Sequence, residues 1–295
     1  MKRFSIIPLL PILLFAGIAQ ADRGAIPFDP DVRVFVPTQT ALIAWDGDEE
    51  VMILTTDLRA SDSTKVLEVM PFPSEPVVSE GDMEVFSKAV SLINRKLQIQ
   101  YNRNLKELVA RGGKAPQAGR IVFHQMIGCH DIAVAEVKNR ADFVNWVDDY
   151  LSSAHVENPK IPDGMESTVG DYIKDGYKWF VFDIVDLSET PVTNEAIQYR
   201  FKTDELFYPL RICRTNAGLA NVELFVLSKD LLKDFKGVDY DKVVLLLDPV
   251  TIGTREVRSM SEEIDNMFHQ NNELLFRIWQ VRNRMSAFSK DLIAK

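Results

Sequence analysis

Four runs decide the fold: IVFHQMIGCHDIAVAEV (residues 121–137), FVNWVDDYL (143–151), YIKDGYKWFVFDIVDL (172–187) and YRFKTDELFYPLRIC (199–213). The first reads as two strands, Ile121 to Phe123 and Ile132 to Val137, joined by a tight turn in which Gly128 supplies the bend. The second carries apolar residues at helical spacing (Phe143, Trp146, Val147, Tyr150, Leu151), and Asn139 suits its N-cap. In the third, a short helix ends at Gly176. Lys178 to Val185 then shows little alternation, which predicts a strand buried on both faces. The fourth predicts strands at Ile197 to Phe201 and Tyr208 to Cys213. Further strands are expected at Val222 to Leu227 and Val243 to Leu247.

Outward from this block, residues 25–75 read as β. Asp46-Gly47 between the apolar runs Ala41 to Trp45 and Val51 to Leu54 is a hairpin signal. Its acids, Asp46, Asp48, Glu49 and Glu50, lack the spacing of an EF-hand calcium loop and read as a solvated turn. Pro37 is expected to end the strand that starts near Val32. Met83, Phe86, Val90, Ile93 and Leu97 then form one stripe of a long helix that Gly112-Gly113 terminates.

The C-terminal part carries the most regular pattern. Met260, Ile264, Met267, Asn271, Leu274, Ile278, Val281, Met285, Phe288 and Leu292 recur at spacings of four and three. That predicts a helix of roughly 50 Å from about Thr254. Asn271 is its one polar seam position, a device that fixes register in coiled coils. Phe268, Leu275 and Trp279 widen the apolar face. This favours packing on the first long helix, with a homodimer through Ile264, Asn271, Ile278 and Met285 as the alternative. The expected fold is therefore α+β: an antiparallel or mixed β-sheet core, flanking helices and two long amphipathic helices, the second at the C-terminus. The expected segments are 1–21, 22–119, 120–253 and 254–295, the last three packed as one unit.

The chain of 295 residues begins with Lys2-Arg3, an apolar run from Phe4 to Ile18 and the small-residue sequence Ala19-Gln20-Ala21. That is the pattern of an export signal; the apolar run is shorter than the ~20 residues of a spanning helix. An uncleaved anchor is the other reading. Loss of Lys2 and Arg3 lowers the net charge from −9 to −11, which disfavours nucleic acid and anionic lipid as partners. No other stretch is long and apolar enough to span a bilayer. The expected location is periplasmic or extracellular. There the two cysteines, Cys129 and Cys213, both in the central block, form a disulfide or remain two buried thiols.

The chain resembles a family of exported prokaryotic proteins known as a domain of unknown function in bacteria and archaea. The resemblance rests on Asp22 to Pro27, Gln39 to Gly47, Pro71 to Ser74, Ile127-Gly-Cys-His-Asp-Ile132, Trp146, Tyr172-Ile-Lys-Asp-Gly-Tyr177 and Tyr208-Pro-Leu-Arg211. It implies export and a fold spanning most of the mature chain, and supplies no activity. Several members of that family carry a C-terminal membrane helix; Arg277, Arg282, Arg284 and Lys290 argue against one here.

Chemistry is sparsely signposted. His124, Cys129, His130 and Asp131 are zinc-donor types within eight residues. No HExxH or paired CxxC accompanies them, and they equally cap and fill a hairpin. Cys129 with His124 or His155 makes a poor nucleophile–base pair if the thiol is bonded. Asp148-Asp149 and Asp183 with Asp186 read as solvated carboxylates. Trp146, Tyr172, Tyr177 and Trp179 suit a core better than a stacking platform. The leading expectation is a non-enzymatic envelope protein that binds a protein or small-molecule partner without a cofactor. The rival is a zinc-dependent hydrolase built on residues 124–131.

Overall fold

The computed structural model describes residues 24–110, 130–153, 155–156, 160–162, 164–190, 192–193, 195–216, 218–232, 235–236, 243–268 and 273–295. The expected export signal, Ile121 to Phe123, His124, Cys129 and Asn271 lie outside them.

A large sheet organises the molecule. Its strands are β2 (Val34–Trp45), β3 (Glu49–Ala60), β5 (Val77–Glu80), β8 (Val192–Thr193), β9 (Ile197–Lys202), β11 (Leu219–Ser228), β12 (Val243–Gly253) and β13 (Glu273–Arg284). They run in the order β12-β13-β11-β2-β3-β9-β5, with β8 beside β3. Among the described residues only β2 and β11 pair in parallel; the other ladders of this sheet are antiparallel, so the sheet is mixed. The β2–β3 hairpin turns at Asp46-Gly47 as expected. Gly47 has φ +108, open to a residue without Cβ, and Asp46 Oδ1 accepts from the Asp48 and Glu49 N–H groups. Pro37 does not end its strand. The β2–β3 register shifts between Phe35 and Thr38, and a bulge is where a strand tolerates a residue that cannot donate.

A second sheet has the order β1-β4-β7-β6, from Gly24–Pro27, Thr64–Phe72, Trp179–Leu187 and His130–Glu136. Helices α2 (Arg140–Ser153) and α3 (Met165–Lys174) share a core with it and with one face of the large sheet. Asn139 caps α2, its Oδ1 accepting from the Asp142 N–H at 3.0 Å. The other face of the large sheet is covered by α1 (Glu84–Ala110), α4 (Thr254–Met260) and α5 (Glu262–Met267). The α1 stripe of Phe86, Val90 and Ile93 is buried there. A third, two-stranded sheet pairs β10 (Leu206–Tyr208) with β14 (Leu292–Ala294).

The expected pair of long helices is wrong, and β outweighs α: fourteen strands in three sheets against five helices, of which α1 alone is long, among the described residues. The 4-3 seam is divided among different structures. Met260, Ile264 and Met267 fall on α4 and α5, separated by Ser261, whose Oγ accepts from the Ile264 N–H at 3.3 Å. Leu274, Ile278 and Val281 fall on β13, and Met285 on a 3₁₀ turn over Met285–Ala287. β13 has a ladder on each side and apolar residues on both faces. Leu274, Phe276 and Ile278 enter the core under α1, whereas Trp279 and Val281 enter the opposite one. A strand buried on both faces has no period of two. Residues drawn from its two faces therefore mimic helical spacing, while Phe, Ile, Trp and Val favour the strand. Ile264, Ile278 and Met285 are buried in the chain's own cores.

Candidate functional site: a carboxylate clamp at β10

Several buried polar side chains converge where β10 crosses the inner face of the large sheet. Inward-facing positions there include Gln39 on β2 and Glu50 on β3. Both are buried among apolar neighbours, and a polar group so placed needs a partner. Tyr208 donates its hydroxyl to Gln39 Oε1, and Glu50 Oε2 accepts the Phe207 N–H at 2.8 Å. Burial pushes the Glu50 carboxyl well above its usual range, against the Phe207 N–H, so the neutral form is favoured.

These contacts fix the start of the Tyr208-Pro209-Leu210-Arg211 run. The strand stops at Tyr208, and a 3₁₀ turn spans Arg211–Thr215. The expected strand from Tyr208 to Cys213 is thus corrected: Pro209 has no N–H with which to continue the ladder. Cys213 sits buried in the turn, its thiol 3.8 Å from the Pro209 carbonyl; Cys129 lies outside the described residues.

Helix α3 supplies the facing wall. It ends at Asp175-Gly176, where Gly176 takes φ +97. The Gly176 N–H donates to the Ile173 carbonyl and the Tyr177 N–H to the Tyr172 carbonyl, the bonding of a Schellman ending. This ending positions Tyr172, Asp175 and Tyr177 around Arg211. The Arg211 guanidinium lies 4.0 Å from the Tyr172 ring centroid, and its Nη1 donates to Asp175 Oδ2 at 2.5 Å. Tyr177 stands edge-on to Tyr172 and stacks on Phe207. Arg214, one turn on, donates to Thr168 Oγ1 and Asp171 Oδ2.

Asp291, just before β14, completes the cluster. Its Oδ1 accepts the Tyr172 hydroxyl at 2.5 Å and the Arg211 N–H at 2.8 Å. Its Oδ2 lies 3.6 Å from Arg211 Nε. One buried carboxylate thus meets a phenol, an amide and a guanidinium, the donor set of a carboxylate receptor. Burial raises the Asp291 carboxyl, opposed by Tyr172 and Arg211. Burial and the Asp291 charge also push Tyr172 well up and Tyr177 up to about 12. Burial works against the Arg211 charge, but Asp175 and Asp291 outweigh it and raise its pKa.

The zinc-donor candidates are only partly placed. His130 and Asp131 begin β6, in register with Val185 and Ile184 of β7. Glu68 and Asp183, both buried, face each other across β4 and β7. Among the described residues no three metal-ligating side chains come together. Trp146 stacks on Phe182, with ring centroids 3.9 Å apart, so it belongs to the core. The sequence reading missed Glu50, Arg211 and Asp291 as a set. Arg211 had a signal in its motif, whereas Asp291 is a lone acid in a stretch expected to be helical.

A family model described as "Uncharacterized protein conserved in bacteria (DUF2330)" matches residues 18–244. The chain belongs to this family. No curated protein matches it. Among solved structures it is similar to the crystal structure of baculovirus P35, with 10% sequence identity and a TM-score of 0.41, over 89% of this chain and 96% of that chain. Within DUF2330, the clamp residues Gln39, Glu50, Tyr172, Asp175, Tyr208 and Arg211 all lie inside the matched region, and Asp291 lies beyond it. No helix among the described residues is long and apolar enough to cross a membrane.

Proposed function

We propose that the protein is an exported, non-enzymatic component of the cell envelope, periplasmic or extracellular, that acts by binding a partner. The observation supporting this reading is the clamp, whose polar groups are committed to holding segments of chain together. Asp291 Oδ1 accepts from the Tyr172 hydroxyl and the Arg211 N–H, and Asp175 holds the guanidinium. The Tyr172 phenol, its pKa raised, is tied to Asp291. The cluster orders polypeptide and leaves no activated nucleophile–base pair. The test takes residues 22–295 from an oxidising compartment, assays them on a broad hydrolase panel, and crosslinks the protein in intact cells. The expected result is a defined crosslinked partner. Turnover that His130→Ala abolishes overturns the reading.

A second reading is a metal-dependent hydrolase, favoured by one observation. The β6–β7 register pairs His130 with Val185, two positions along β7 from Asp183, which is itself opposite Glu68 of β4. Imidazole with two carboxylates suits zinc. This reading predicts stoichiometric metal in native mass spectra of protein purified without chelators, and a melting temperature lowered by EDTA. Metal-free protein indifferent to EDTA ends it.

A further inference from the structure

We propose that β10, the Arg211–Thr215 turn, the C-terminal end of α3 and the Lys236 backbone form a strand-addition site. Its ligand is an extended peptide with an acidic residue followed by alternating apolar residues, and residues 290–295 are the resident occupant. Four features of the occupant's seat carry this. Asp291 is read by the Tyr172 hydroxyl, the Arg211 N–H and the guanidinium, all supplied by the receptor side. Leu292 and Ala294 alternate into the core while Ile293 between them is less buried. The main chain is read by three antiparallel pairs with β10 and by the Lys236 N–H, which donates to the Ile293 carbonyl at 2.7 Å. The tether, Ser289-Lys290, is exposed.

Backbone pairing supplemented by side-chain pockets at alternate positions is how an extended peptide joins a sheet edge. The receptor residues lie within the matched residues 18–244, and the occupant lies outside them. The tethered segment has a high effective concentration, so an outside peptide enters only when the tether is cut or the segment displaced.

This deepens the binding-protein reading and rests on it only for biological meaning; turnover on the substrate panel would end that reading and leave the site to be judged separately. The experiment uses residues 22–295 with a specific protease sequence inserted between Ser289 and Lys290. The cleaved protein is titrated with fluorescently labelled KDLIAK, the severed residues 290–295, and anisotropy, native mass spectrometry and far-UV circular dichroism are followed. The expected result is one-to-one exchange of the labelled peptide for the severed segment, no binding to uncut protein, and binding weakened about tenfold or more by Asp291→Ala in the peptide, equivalent to ~1.4 kcal/mol. Three results would overturn the proposal: unfolding on cleavage, a severed segment that never exchanges, or equal binding of the peptide lacking the carboxylate. Each would make residues 290–295 core rather than ligand.

Discussion

Two strands beyond residue 244 are held by different physics. β13 lies between β11 and β12, pairs with both over most of its twelve residues, and buries apolar side chains on both faces. β14 has three residues, one partner strand and a carboxylate anchor. β13 is secured by area removed from water, worth about 25 cal/mol per Å² and insensitive to pH. β14 adds a little such area to a polar contact that depends on protonation and geometry. This contrast predicts that the first strand belongs to the cooperative unit and that the second opens by itself.

The largest effect expected from this contrast is that of Ile278→Asp. Ile278 is buried on the α1 side of β13, and an unpaired charge there costs about 4 kcal/mol or more. Circular dichroism and size exclusion should find no folded monomer at 25 °C. A folded, monomeric variant would mean that Ile278 served a contact between copies rather than this core.

Truncations of similar size sharpen the contrast. Leu274→Ala in β13 and Leu292→Ala in β14 each delete a fully buried side chain, a change worth about 2–5 kcal/mol. Leu274→Ala should lower the global midpoint by that amount. Leu292→Ala should instead first remove amide protection from residues 292–294 in hydrogen exchange, with a smaller change in global midpoint. Equal global losses would mean that the two strands unfold together.

These strands also mark how far the sequence could be read. The α1 stripe was legible because α1 buries one face only: Phe86, Val90 and Ile93 point inward and Ser87, Lys88 and Arg95 do not. The β2–β3 hairpin was legible because Asp46-Gly47 imposes it locally. β13 was not, since its faces are covered by α1 on one side and the opposite core on the other, and its ladders come from β11 and β12, 20 to 65 residues away. Export, by contrast, was read from residues 1–21, outside the described structure. At the clamp, Tyr172, Asp175, Tyr177, Tyr208 and Arg211 stood in two quotable runs, yet nothing local joins them. Their meeting depends on Gly176 ending α3, on Glu50 and Gln39 seating β10, and on Asp291 arriving from 80 residues beyond Arg211.

The clamp's donors come next in size. Tyr172→Phe keeps the ring under the Arg211 guanidinium and removes one of the donors to Asp291 Oδ1. A buried acceptor left short costs about 1–3 kcal/mol. Loss of protection should be confined to residues 288–295, and β13 should keep its exchange rates. If β13 loosens equally, the carboxylate is a keystone of the whole core.

The smallest effect concerns pH, and its sign separates the two strands. Burial raises the folded-state pKa of Asp291, with Tyr172 and Arg211 opposing the rise and Asp175 adding to it. Between the unfolded carboxylate value and the raised folded one, the folded state binds more protons than the unfolded. Stability therefore falls as pH rises through that window. Glu50, whose carboxyl is also raised by burial, contributes with the same sign to the seat of β10. Protection of residues 292–294 should decline as pH rises from the ordinary carboxylate range. Asp291→Asn keeps an oxygen for the Tyr172 hydroxyl and the Arg211 N–H but cannot ionise, so it should remove much of that slope at a cost of about 1 kcal/mol or less. Glu50→Gln should flatten what remains. The local stability of β13 should change little over the same range. A variant carrying both substitutions that keeps the wild-type slope at residues 292–294 would show that Asp291 and Glu50 do not govern how β14 is held.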